Sequence, residues 1–124
     1  MQELTKAQEE ILKVLWEIEE GVVTDVIDKL SEPKPAYNTV STVIKVLEKK
    51  EFVSHKVYGK THVYFPIVSK KEYASFVLKD SLKGFFNGSI QQAVSFFVKQ
   101  KDASISELEE LKKLIELEIE KHKN

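Results

Sequence analysis

Cysteine is absent from the 124-residue chain, which excludes a disulfide framework, a thiolate zinc ribbon and a thiol nucleophile. Arginine is absent too, so every basic residue is a lysine. No apolar run approaches the roughly 18 residues of a membrane span. The start, MQELTKAQEE, has neither the basic end nor the apolar stretch of a signal peptide. A reducing compartment, the cytoplasm, is expected, with no membrane insertion. Catalytic signatures are also missing: no Gly-rich phosphate loop, G-x-S-x-G elbow or H-E-x-x-H helix occurs. Histidine is confined to His55, His62 and His122. The first two can face each other across a hairpin, but without an evident third ligand they do not amount to a metal site. No enzyme activity, no metal and no cofactor is expected.

What the chain does contain is a globular mixture, 42% hydrophobic and 31% charged. Its length suits one domain, or one small domain with an appendage. The net charge is −1, which argues against a protein that holds nucleic acid by bulk charge alone. The charge is unevenly spread, however. Lys34, Lys45, Lys49, Lys50, Lys56 and Lys60 stand against Glu48 and Glu51 between residues 34 and 62, whereas 102–124 is acidic. A locally basic segment is either a partner surface or a lysine-rich solvated face.

Hydrophobic spacing divides the chain. Thr5-Lys6-Ala7-Gln8 is a capping-box pattern opening a first helix, whose stripe is Ile11, Val14, Leu15 and Ile18 and whose end is placed at Gly21. Val23, Val26, Ile27 and Leu30 make a second, shorter stripe. Glu32-Pro33-Lys34-Pro35 cannot be helix interior, so a third helix begins after it, over 36–50. Val40, Val43, Ile44 and Leu47 form its buried stripe, and Asn38, Thr42, Lys45 and Lys49 lie opposite. The period then changes: 52–58 and 62–65 are rich in β-branched and aromatic residues around a Gly59-Lys60 turn.

Everything after residue 68 reads as helical. Ser69 with Glu72 caps one helix, Ser89 precedes another, and Ser104 or Ser106 opens the last. Asn87-Gly88-Ser89 matches a glycosylation sequon but is read as a turn before a cap. Phe76, Leu82, Phe85, Phe86, Val94, Phe97, Leu108, Leu111 and Ile115 are more apolar surface than three such helices can bury alone. A second copy of the chain is expected to cover them. Phe85-Phe86 and Phe96-Phe97 are read as core and interface, not as a ligand cage.

The order of three helices and a hairpin is that of a winged helix-turn-helix: mainly α with a small β-hairpin, followed by a C-terminal helical dimerisation region. Residues 1–68 are assigned to the winged-helix domain and 69–124 to dimerisation. A helix fits the DNA major groove, where short side chains at its start reach base edges or phosphates. The hydroxyls of Thr39, Ser41 and Thr42 suit either task, and the Thr42 methyl with Val46 can touch a thymine methyl. Lys45, Lys49, Lys56 and Lys60 would neutralise phosphates, making binding salt-dependent.

The strings LTKAQEEILKVLWEIEEGVVTDVIDKL, PAYNTVSTVIKVLEKK and FVSHK…YGKTHVYFPIVSKKEY, with the tail LKDSLKGFFNGSIQQAVSFFVKQKDASISELEELKKLI, resemble the BlaI/MecI/CopY family of bacterial repressors. The resemblance runs from about Leu4 to Ile115. It implies a homodimer joined through its C-terminal helices, bound to a palindromic operator on double-stranded DNA and shutting off transcription. Carried over by position, DNA contacts fall on Asn38, Thr39, Ser41 and Thr42, and wing contacts on His55, Lys56 and Lys60. A membrane sensor protease is implied as regulator for β-lactam-type members, which are cleaved at an Asn-Phe bond.

This sequence departs from the family pattern in several places. Ser41 and Val46 stand where members often carry arginine, which removes the bidentate guanine contact. Glu51 replaces the glycine that commonly follows the Lys-Lys pair, and this alters the helix exit. Phe96-Phe97 occupies the place of the cleaved bond. The cysteine-rich tail of copper-responsive members is missing. A rival reading from another class is a dimeric winged-helix module whose third helix meets a partner protein and reads no DNA, favoured by the absence of arginine and the negative net charge.

Overall fold

The computed structural model describes residues 1–100 and 103–123. Among them are α1 (Lys6–Ile18), α2 (Val23–Lys29), α3 (Tyr37–Lys49), β1 (Val53–Tyr58), β2 (Thr61–Pro66), α4 (Lys70–Phe86), α5 (Ile90–Gln100) and α6 (Ile105–Lys123). Six helices with one antiparallel hairpin, in this order, make a winged helix followed by further helices.

Local chemistry sets most of the boundaries. The Gln8 N–H donates to Thr5 Oγ1 at 3.2 Å and the Thr5 N–H to Gln8 Oε1 at 3.0 Å, a reciprocal cap for α1. Ser69 and Glu72 repeat the arrangement at α4. At α6 the cap is Ser104, whose Oγ accepts from the Glu107 N–H at 3.1 Å, which decides between the two serines there. α2 has a different device: Lys34 Nζ donates to the carbonyls of Ile27, Asp28 and Leu30 at 3.1, 3.0 and 2.7 Å. An ammonium at a helix C-terminus also meets the negative end of the helix dipole.

Two exits differ from the sequence-based expectation. α1 ends at Ile18, and Glu19 takes a left-handed φ of 71°. Gly21 lies beyond that end and pairs with β2, its N–H donating to Tyr64 O at 2.9 Å and its carbonyl accepting from the Tyr64 N–H at 2.8 Å. A Cβ at Gly21 would sit 2.8 Å from Ile18 Cδ1 and 3.0 Å from Asp25 Cβ, so a larger residue there would displace both side chains. After α3, Glu51 adopts φ 68°, and the Phe52 N–H returns to Leu47 O at 2.9 Å. A left-handed exit is thus formed with glutamate in the position a glycine would fill.

By contacts the chain forms two compact units, Met1–Leu78 and Lys79–Asn124. The first has the core: Leu12, Leu15, Val26, Val40, Ile44, Leu47, Phe52 and Val53 are almost wholly buried. Burying each such side chain stabilises the fold by roughly 1.5–3 kcal/mol. Tyr73 is buried with them, Phe76 and Val77 pack at the edge, and Trp16 Nε1 donates to Val68 O at 2.9 Å. The division between units therefore falls inside α4 instead of ahead of it. In the second unit no residue of α5 or α6 is buried, although the Phe86 and Phe96 rings meet at 5.6 Å. Among the described residues no helix is long and apolar enough to cross a membrane.

Candidate nucleic-acid interface

α3 has two faces because its apolar residues recur at helical spacing. Val40, Ile44 and Leu47 are buried, and Asn38, Thr39, Thr42, Lys45 and Lys49 are exposed, with Ser41 half-buried between them. Its N-terminus has no side-chain cap, since Ala36 holds the N-cap position, so N–H groups of the first turn are left for another acceptor. Lys49 lies in the last turn, where a cation suits the helix dipole.

The wing is registered by its two-residue turn. Tyr58 pairs with Thr61, Val57 with His62 and His55 with Tyr64, and Gly59 supplies the positive φ of 64°. A groove of about 360 Å³ runs between this hairpin and α3, and Tyr37, Ser41, Lys45, Lys60, Thr61 and His62 contribute to its walls. No acidic residue lines it. Ser41, Lys45 and Lys60, all expected to contact DNA, meet here. Asn38, Thr42 and Lys49 lie on the exposed face of α3 outside the groove, and Thr39 borders a separate, more apolar groove with Pro33 and Val43.

The remaining wing candidates are engaged within the fold. The His55 Nδ1–H donates to Glu48 Oε2, both groups being largely covered, and the His55 ring stacks on His62 at 4.4 Å with planes 10° apart. Lys56 Nζ donates to Glu20 Oε1 at 3.0 Å and lies 5.7 Å from the centre of the Phe65 ring. The Glu20 carboxylate, through that bond and its charge, raises the Lys56 ammonium above its ordinary value. Burial first, then the nearby Glu48 carboxylate, raises the Tyr64 hydroxyl. Among the described residues no group of three or more acids and histidines is placed to hold a metal.

Three groove residues have no DNA role in the sequence reading: Tyr37, Thr61 and His62, although His62 is expected to face His55 across the hairpin, as it does. Two carried a usable signal. Tyr37, Ser41 and Lys45 fall at i, i+4 and i+8, one stripe of the helix. His62 shares a face with Tyr64 by strand alternation, which a two-residue turn projects back toward α3. Of the residues assigned to a dimer interface, Phe76 sits against the core of the first unit, its ring 6.3 Å from that of Tyr73. Leu82, Phe86 and Leu111 are half-buried, while Phe85, Val94, Phe97, Leu108 and Ile115 are exposed, Phe85 at 82%.

Comparison with known proteins agrees with this architecture. The penicillinase repressor of Bacillus licheniformis is 28% identical over 123 residues, covering 98% of this chain and 93% of its own. The methicillin resistance regulatory protein MecI of Staphylococcus aureus is 25% identical over 114 residues, 91% of this chain and 93% of its own. The structure of the hsRosR-S4 complex has the same fold, with a TM-score of 0.52 at 15% identity over 95% of this chain and 91% of that one. The profile of the Penicillinase repressor family matches residues 4–117. With nearly its whole length matched, the chain belongs to the penicillinase repressor family, a family of transcriptional repressors and not of enzymes.

Proposed function

We propose that the chain is a homodimeric repressor that binds double-stranded operator DNA, with α3 in the major groove and the wing against the flanking backbone. The observation that carries this reading is the free face of α3. Asn38, Thr39, Thr42, Lys45 and Lys49 project from a helix anchored by Val40, Ile44 and Leu47, with nothing of the first unit laid over them. A face so held presents short polar groups to base edges and ammonium groups to phosphates. The names of the relatives, a penicillinase repressor and a methicillin resistance regulator, support repression as the outcome.

Dimerisation is supported by the second unit, where Phe85, Ile105 and Leu114 are mostly exposed and no residue of α5 or α6 is buried. A second copy covering this surface produces two recognition helices related by two-fold symmetry, which suits a palindromic operator in the cytoplasm. A membrane sensor protease remains the regulator suggested by family likeness. Sedimentation velocity at micromolar concentration, alone and with a duplex selected from random DNA, tests the reading. A dimer that binds a palindrome supports it. A strict monomer, or a dimer that enriches no duplex, overturns it, and the latter favours the protein-interaction module.

A further inference from the structure

We infer that the groove between α3 and the wing seats one DNA backbone phosphate, held by His62 together with Lys45 and Lys60, and that Glu48 and His55 position His62 for it. The inference deepens the DNA-binding reading and rests on it. Both walls of the groove bring a cation, Lys45 from the helix and Lys60 from the hairpin turn, and Ser41 and Thr61 add hydroxyls. No acid lines the space, so an anion there meets cations from two elements, while the Glu48 carboxylate stands behind the His55 ring and is engaged by its Nδ1–H.

The wing's contribution is narrowed by what is already occupied. His55 has its Nδ1–H on Glu48, and Lys56 has its ammonium on Glu20. The side chains of His62 and Lys60 are exposed and, among the described residues, make no side-chain hydrogen bond or ion pair. The His62 ring is nevertheless not loose: one face lies on the His55 ring at 4.4 Å. Glu48 belongs to α3, so its bond to His55 fixes the stacking platform to the recognition helix itself. Glu48 and His55 are therefore positioning residues and His62 the contact. The Glu48 carboxylate fixes the orientation of the His55 ring through its Nδ1–H, and the His55 ring in turn holds the His62 ring by stacking.

The test uses the full chain and a duplex enriched by it from random DNA, resynthesised with a single neutral methylphosphonate at each position in turn. At one phosphate of each bound site, neutralisation weakens the wild type about tenfold. At that same phosphate, His62→Ala and Lys60→Ala each reduce the effect to less than about twofold, since the partner is gone. Glu48→Gln and Glu48→Ala lose the same charge, but only glutamine keeps an oxygen to accept the His55 proton. Glutamine thus retains the phosphate effect and alanine loses it.

If His62→Ala and Lys60→Ala uncouple different phosphates, or none, the proposal is overturned. If the two Glu48 variants behave alike, the positioning role is overturned. The three sites are exposed or half-buried, and unchanged circular dichroism and melting show that the variants fold. If no duplex is enriched, the DNA-binding reading and this proposal fall together, whereas enrichment without the coupling defeats the proposal alone.

Discussion

The Tyr73 hydroxyl donates to the Glu9 carboxylate at 2.7 Å while accepting from the Leu4 N–H at 3.2 Å. One side chain thereby fastens the start of α4 to α1 and to the segment before it, and its ring packs edge-on to Phe52 at 5.7 Å. This is why the first compact unit includes the opening turns of α4. Burial, followed by the bond to Glu9, pushes the Tyr73 hydroxyl up to about 12.

Tyr73→Phe is expected to lower stability by about 1–3 kcal/mol near neutral pH, because the Leu4 N–H loses its acceptor and Glu9 its donor. The pH dependence has a definite sign. The folded-state value lies above the unfolded value of 10.0, so the stabilisation is complete below pH 10 and is lost as pH rises through about 12. Urea unfolding of both proteins checks this: the gap between them stays constant up to pH 10 and narrows beyond it.

Glu51→Gly is expected to stabilise the protein by about 0.5–1 kcal/mol. Glutamate at φ 68° crowds its Cβ against the following carbonyl, a strain of roughly 1–2 kcal/mol that glycine avoids, less the extra entropy glycine loses on folding. The urea midpoint should rise with an unchanged m-value, and a fall would contradict the assignment.

Lys34→Met separates capping from phosphate contact. Lys34 belongs to the basic run of the sequence, but its ammonium is spent on three carbonyls at the end of α2. Stability is expected to drop by about 1 kcal/mol. The salt dependence of DNA binding is expected to stay the same, and a shallower slope would return Lys34 to the DNA interface.

Much of this arrangement can be read in the residues. Val40, Ile44 and Leu47 announce the buried face of α3, and the serine and threonine caps announce α1, α4 and α6, because those signals depend on neighbours within one turn. The wing follows from Gly59-Lys60 between β-formers. What could not be read is which side chains are occupied by distant partners. His55 meets Glu48, Lys56 meets Glu20 and Lys34 meets α2 only once the elements pack, and no spacing rule encodes those encounters. Of the expected wing residues, His55 and Lys56 are engaged within the fold while Lys60 lines the groove, where His62 joins it. The end of α1 differs from the expectation for the same reason: Gly21 lies past the helix exit, packed against Ile18 and paired with Tyr64.

Thr42→Ala is expected to change preference between DNA sites by about 0.5–1.5 kcal/mol at one base pair of each half-site, as loss of a single neutral base-edge hydrogen bond does. Anisotropy titrations against single-substitution duplexes measure it. Equal losses on every duplex would mean that Thr42 meets the backbone and reads no base.

The most direct test of the central claim is the salt dependence of binding by Lys45→Ala/Lys49→Ala on a selected duplex. The homodimer loses this pair from both recognition helices, so with four phosphates no longer neutralised the slope of log K against log salt should shrink by about 3.6, with weaker binding on all sequences. A slope identical to that of the wild type would contradict the placement of α3 on DNA.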